Sequence, residues 1–322
     1  MAITCRICGN SSDNRIHKTR EMMFGTRDEF DYLECDRCGT LQIIDIPDLR
    51  KYYPENYLSF DTRVEMGETY GRRIAAKFAG RYFAAGNDPI GKLIVEKKPW
   101  IGDHYPPSLR QFDLGIDFGS RILDFGCGNG RLLQSLHYFG FRNLTGADAF
   151  IEKDIHYRTG VNILKSGLRE LEPEFDLIML HHSFEHLADP LESLKQVHRL
   201  LASAKFCLVR MPVKNLAWEQ YGVNWVQLDP PRHLYIYTEE SFRQLAKSAG
   251  FAVEKIIYDS TAFQFWGSEQ YLLDIPLAAS GSAAFTPPDV FSEQQIAEWT
   301  ARAKVLNIDG RGDQACFYLR KL

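Results

Sequence analysis

Residues 121–140, RILDFGCGNGRLLQSLHYFG, decide how this 322-residue chain is read. Ile122 and Leu123 end a short apolar strand, Gly126, Gly128 and Gly130 follow at alternate positions, and RLLQSLHYFG then reads as a helix. A strand, a glycine turn and a helix start let the main chain come close to a ligand at the carboxyl edge of a parallel sheet. Asp124 stands there, ready to bind polar groups.

The glycine spacing separates two ligand classes. A dinucleotide fingerprint, GxGxxG, needs a third glycine at 131, and that residue is Arg131. The pattern is instead an acid, one residue, then GxGxG. It resembles the first motif of class I S-adenosylmethionine-dependent methyltransferases, whose ligand lacks phosphate and carries a cationic amino-acid end. An acid beside the turn suits that ligand and would repel a pyrophosphate. The resemblance assigns Asp124, Gly126, Cys127, Gly128 and Gly130 to the cofactor.

Further along, NLTGADAF runs a strand into Asp148, 18 residues beyond Gly130. An acid at the end of a second strand can accept hydrogen bonds from both ribose hydroxyls, with Ala149 beside it. A third strand is expected at 161–164, which puts Ser166, Gly167 and Leu168 next to an adenine ring. Residues 175–180 form an apolar run of the kind buried on both faces of a parallel sheet. That run ends in His181, His182, Ser183, Glu185 and His186, with His181 on the cofactor side. Pro190 opens a helix, KFCLVRMPV is a fifth strand, FAVEKIIYD a sixth, and ACFYLRK, at 315–321, is expected as an edge strand. The expected fold class is α/β, a Rossmann-like sheet of seven strands with helices on both faces and its last strand antiparallel.

His186 is the first choice for a catalytic base, with Glu185 orienting its ring and His182 and His233 as partners or replacements. The competing structural reading has His186 capping the next helix and Glu185 paired with an arginine. Between the fifth strand and the next helix, residues 211–238 form an aromatic insertion with Trp218, Tyr221, Trp225, Tyr235 and Tyr237. Long ordered connections of this kind are often lids, so a wall of the acceptor pocket is expected here, with Arg232 holding an anionic or sugar group. Core packing is the equal alternative for each tryptophan.

At the amino end, CRICGN and CDRCGT hold Cys5, Cys8, Cys35 and Cys38 as two CxxC knuckles. Four thiolates suit a tetrahedral, closed and therefore structural Zn2+ site. Disulfides are disfavoured because MAITCRICG carries no apolar signal segment and Cys127, Cys207 and Cys316 would stay unpaired. A net charge of −4 and a pI near 6.2 give no general attraction for nucleic acid or anionic membrane, and no run approaches 18 apolar residues. Cytoplasm is the expected location.

Three regions follow: a ribbon at 1–45, a helical connector at 46–119, and a cofactor domain at 120–322 with insertions at about 211–238 and 261–310. In the connector, residues 67–86 place Tyr70, Ile74, Phe78, Ala79 and Tyr82 near one helical face, read first as a helix packed across the sheet; the functional alternative has Tyr52, Tyr53 and Tyr57 reaching over the active site. The ribbon, YYPENY, LDFGCGNG, EHLADP and PPRHLYIYT together resemble bacterial methyltransferases with an amino-terminal zinc-binding domain, some of which methylate nucleotide-linked deoxysugars at carbon. That resemblance implies a small sugar-type acceptor and places its catalytic histidine at His186. Two other classes stand beside it. An RNA methyltransferase would use a basic ribbon, but the charges between Cys5 and Cys38 almost cancel. A binding protein without catalysis would differ only in turnover.

Overall fold

The computed structural model describes residues 3–53, 69–86, 88–278 and 289–322. Two sheets organise the chain. The first joins β1 (Arg15–Arg20), β2 (Glu29–Glu34) and β3 (Leu41–Ile43) in an antiparallel meander. Its fourth strand, β10 (Tyr235–Ile236), comes from the aromatic insertion and pairs antiparallel with β3.

The second sheet is larger. It contains β4 (Arg121–Phe125), β5 (Asn143–Ala147), β6 (Ile155–His156), β7 (Asn162–Leu164), β8 (Phe175–His181), β9 (Leu201–Pro212), β11 (Phe251–Tyr258) and β12 (Gln314–Lys321). Their order is β11-β12-β9-β8-β4-β5-β7-β6. β7, β5, β4, β8 and β9 run parallel, whereas β12 is antiparallel to both its neighbours. The expected seven strands are present, and the two-residue β6 adds an eighth at one edge. β12 was expected at the edge and instead lies between β9 and β11. Its run from Ala315 to Leu319 is buried throughout, while β11 carries Glu254 and Lys255 outward and forms the border.

Side chains alternate between two cores. Leu123, Ile178, Leu180 and Val209 face one core, shared with α5 (Pro190–Leu200), α7 (Glu239–Ser248) and the aromatic insertion. Ile122, Leu177, Met179 and Leu208 face the other, shared with α1 (Tyr70–Ala85) and α4 (Arg131–Phe139). α2 (Pro89–Lys97) and α3 (Trp100–Asp103) lie against α1. α6 (Leu216–Tyr221), α8 (Phe263–Leu272) and α9 (Glu293–Ile308) belong to the two insertions.

Only part of the face expected on α1 is buried. Tyr70 is 82% exposed and Ile74 40%, while Ala76 and Ala79 are fully buried. The reason is backbone proximity: a Cβ on Gly80 would stand 2.3 Å from the carbonyl oxygen of Phe139 in α4. Such close helix contact selects small residues over large apolar ones.

Candidate active site

β4 delivers Asp124 and the glycine turn to the carboxyl edge of the sheet. Gly126, Gly128 and Gly130 have φ of 74°, 54° and 80°, a region that penalises every residue with a Cβ. Two of them are also hemmed in by protein. A Cβ on Gly126 would lie 2.3 Å from Cβ of Ser183, and one on Gly130 2.4 Å from Cδ1 of Ile163. The turn is thus pressed against the tail of β8 and against β7, so packing within the protein demands these glycines. Cys127 lies between them, its thiol donating to the Gly128 carbonyl at 3.6 Å.

Asp148, directly after β5, binds that turn. Its Oδ2 accepts from the Gly128 N–H and its Oδ1 from the Phe150 N–H, both at 2.8 Å. A carboxylate offers about four lone-pair positions, so about two stay available beyond Ala149 for a ligand's hydroxyls. Asp124 is 3% exposed, and burial, reinforced by Asp148, pushes its carboxyl up to about 8. Ser166 and Gly167 are tied into the turn after β7, both bonding Glu170 Oε2, and Leu168 is buried in the core.

The tail of β8 gathers the other expected residues. His181 Nε2 pairs with Ser108 Oγ at 2.9 Å, and burial, then Arg210 and His182, push its imidazole down to about 3. His182, at φ 51°, donates its N–H to the Arg210 carbonyl and sets Nε2 against the Arg210 guanidinium. Arg210 is itself bound to Asp259 at 2.6 Å. Ser183 donates to the Phe125 carbonyl at 2.7 Å, joining this tail to the glycine turn.

Glu185, His186 and His233 converge. Glu185 is completely buried, and among the described residues neither carboxylate oxygen has a hydrogen-bond partner. His182 Nδ1 stands 3.5 Å from Glu185 Oε1 and His233 Nε2 3.9 Å, so they act on it by charge. Burial opposes its charge, but His182, His186 and His233 prevail and hold the carboxyl down at about 2. His186 Nδ1 lies 2.7 Å from the Arg232 carbonyl and His233 Nδ1 2.8 Å from the Gln227 carbonyl. A carbonyl can only accept, so both Nδ1 atoms donate and Nε2 is left as the variable nitrogen of each ring. Burial, against the pull of Glu185, moves the His186 pKa downward and favours its neutral form.

Among the described residues neither structural alternative for this segment is observed: Asp189 caps α5, and Glu185 has no arginine partner there. Arg232 does not present its charge to a substrate. It is fully buried, bonded to Glu21 at 2.9 Å and to Asp229 at 2.5 Å, with its guanidinium over Phe24. The insertion is likewise inward: Trp225, Tyr235 and Tyr237 have no exposure, and Asp313 takes the Trp225 indole N–H at 2.9 Å. What the insertion brings to the site is His233, locked by Tyr32 hydroxyl on its carbonyl at 2.6 Å and by the Leu234 N–H on the Glu185 carbonyl at 2.9 Å.

Of the three tyrosines, Tyr57 lies outside the described residues. Tyr52 turns away to donate to Asp28 at 2.7 Å. Tyr53 stacks on Phe150, two residues past Asp148, and its hydroxyl lies 3.2 Å from His186 Nδ1. It bridges Phe150 and the histidine cluster, a position that the sequence showed only as one of three candidates. Asp229, Glu21 and Asp313 support the site from positions that no motif marks.

The four amino-terminal cysteines form a second centre. Sγ of Cys5 and Cys38 are 3.7 Å apart, and those of Cys8 and Cys35 3.4 Å. Thiolates bound tetrahedrally at ~2.3 Å would be ~3.8 Å apart, whereas a disulfide needs ~2.05 Å. Gly9 and Gly39 donate N–H to the Cys5 and Cys35 carbonyls, each at 2.9 Å, closing matched knuckles. The unit is fastened to the rest by Thr238 hydroxyl on the Cys38 carbonyl and by Lys214 on Glu34.

Residues 83–256, just over half of the chain, match a family described as methyltransferase domain. A ubiquinone biosynthesis O-methyltransferase from Ruegeria pomeroyi is 31% identical over 107 residues, 28% of this chain. The chain spans about two fifths (41%) of that relative's length. Among solved structures, the complex between the Haloferax volcanii Trm112 methyltransferase activator and a putative methyltransferase aligns with TM-score 0.44 and 16% identity, over 70% of this chain and 90% of the other. The cyclopropane synthase MmaA2 from Mycobacterium tuberculosis aligns with TM-score 0.42 and 16% identity, over 79% and 99%. With the family match covering the glycine turn, Asp148 and the histidine cluster, the chain belongs to the methyltransferase-domain family and carries a class I S-adenosylmethionine-dependent methyltransferase domain.

Proposed function

We propose that the chain transfers the methyl group of S-adenosylmethionine to a small-molecule acceptor of sugar type, with the acceptor's proton lost into the cluster of Glu185, His186 and His233. The observation that carries this reading is the placement of that cluster one short turn past β8, joined through Ser183 to the glycine turn that the family uses for its cofactor. The residues present fit that cofactor. Asp148 has acceptor capacity for ribose hydroxyls, and Asp124 is an acid raised by burial and by Asp148, an effect that an amino-acid ammonium would offset.

When bound, the sulfonium provides an activated methyl group, and the protein's part is alignment and proton removal. His186 and His233, each fixed by a carbonyl on Nδ1, offer Nε2 to the acceptor proton, and Glu185 stabilises the imidazolium that results. Tyr53 and Phe150 wall the path between the two ligands. Ser166, Gly167 and Leu168 would border the adenine, and His181, held neutral, the methyl donor. We further propose that Cys5, Cys8, Cys35 and Cys38 hold a structural Zn2+, which fixes the sheet that receives β10 and hence the position of His233.

The test is turnover with labelled S-adenosylmethionine on a panel of nucleotide-linked sugars. Replacing both His186 and His233 by Gln should lower kcat by about 10²-fold or more while S-adenosylhomocysteine still binds. Unchanged turnover in that double variant would refute the assignment.

A further inference from the structure

The same three residues support a step beyond that reading, and it rests on their facing the acceptor. Glu185 Oε1 or Oε2, His186 and His233 offer ligand atoms that all lie within 4.8 Å of one another. Three features make this more than proximity. The Glu185 carboxylate is fully buried and accepts no hydrogen bond among the described residues, with His182 Nδ1 standing off at 3.5 Å, which is costly for an ion and calls for a positive partner. Each histidine donates Nδ1–H to a backbone carbonyl, the outer contact that fixes a ring with Nε2 as metal ligand. And the His233 Nε2 to Glu185 Oε1 separation, 3.9 Å, is too long for a hydrogen bond. Adjacent ligands ~2.1 Å from one ion stand ~3.0–3.4 Å apart, so the His233–Glu185 pair closes on it with less than about 1 Å of movement and no pair needs more than about 2 Å.

We infer that Glu185, His186 and His233 bind a first-row divalent cation. Two imidazoles and one carboxylate on one side of an ion suit Mn2+, Fe2+, Co2+ or Zn2+ and leave positions open on the other. Of the three residues His186 is the partly buried one, and the open positions are on its side. Acceptor oxygens would fill them, such as a hydroxyl pair on a sugar. In the ion-bound state both Nε2 lone pairs are engaged, and a hydroxyl on the ion loses its proton to water because the ion stabilises the alkoxide. In the ion-free state the imidazoles are the bases described above. The two states respond oppositely to a chelator.

The test is titration of the chelator-treated full-length protein with Mn2+, counting free ion by electron paramagnetic resonance. Mn2+ discriminates because thiolates disfavour it, so the cysteine centre contributes little. One Mn2+ per chain is expected, with Glu185→Gln and His233→Gln each weakening binding about tenfold or more. Circular dichroism checks folding, and His186→Gln replaces either variant if it fails to fold. Absence of Mn2+ binding to 1 mM (on the order of the weakest sites that matter), or binding untouched by the substitutions, would overturn the inference. S-adenosylhomocysteine titration of the same samples keeps the two readings apart. Cofactor binding without Mn2+ binding removes the cation and leaves methyl transfer, and Mn2+ binding without cofactor binding does the reverse.

Discussion

Replacing Gly126 by Ala tests how the cofactor turn and the histidine cluster are coupled. At φ 74° an alanine costs ~1–2 kcal/mol of backbone strain. Its Cβ would also lie 2.3 Å from the Ser183 Cβ, and relieving such an overlap in a packed site costs ~1–3 kcal/mol. The single variant should therefore lose ~2–5 kcal/mol. Ser183→Gly alone removes the hydroxyl that donates to the Phe125 carbonyl, a loss of ~1 kcal/mol. In the double variant the overlap is gone but strain and the lost bond remain, for a total of ~2–3 kcal/mol. The singles sum to ~3–6 kcal/mol, so the cycle predicts a coupling of ~1–3 kcal/mol in favour of the double variant. Urea unfolding followed by circular dichroism measures all four corners. Strict additivity, or a Gly126→Ala variant within ~0.5 kcal/mol of the parent, would show that the glycine is not held by contact with the β8 tail.

Three further outcomes are expected. Asp124 binds its proton up to about pH 8 when folded and only to about pH 4 when unfolded, so the folded state holds more protons in between and stability falls as pH rises across that window. Asp124→Asn lacks this dependence, and its melting temperature should gain on the parent between pH 5 and pH 8 by about several degrees; a constant gap would contradict the raised pKa. Arg232→Met leaves Glu21 and Asp229 without their buried cation and should cost ~3–5 kcal/mol in urea unfolding while S-adenosylhomocysteine affinity stays within about threefold; a stable variant with weakened substrate binding would return Arg232 to the acceptor. Zinc released by a thiol reagent should amount to about one ion per chain and vanish in Cys35→Ser; a released amount near zero in the parent would remove the metal.

The sheet and the glycine turn at its carboxyl edge were legible because glycine and acid spacings report backbone demands that few other structures share. Asp124, the three glycines and Asp148 lie together as their spacing implied, although the glycines are required by Ser183 and Ile163 as much as by any ligand. The edge strand was misread at a point where composition held the answer. ACFYL is apolar on both faces, the mark of an interior strand, and FAVEKIIY carries charge at its centre, the mark of a border. On α1 the face read from Tyr70, Ile74, Phe78, Ala79 and Tyr82 is fully buried only at Ala79, because the contact with Phe139 favours Ala76, Ala79 and Gly80 over large side chains. Arg232 could not have been placed from its string, since its partner Glu21 is distant in sequence and only the fold brings the two together.

The most direct test is calorimetric titration of the full-length chain with S-adenosylhomocysteine, in parallel with Asp148→Asn. The amide keeps one acceptor but presents N–H to a backbone N–H, and the lost charge-assisted bonds are worth ~1.5–3 kcal/mol each. Binding of one molecule per chain is predicted, weakened about 10- to 10³-fold in the variant. No heat at millimolar ligand, or equal affinity in both proteins, would contradict the account.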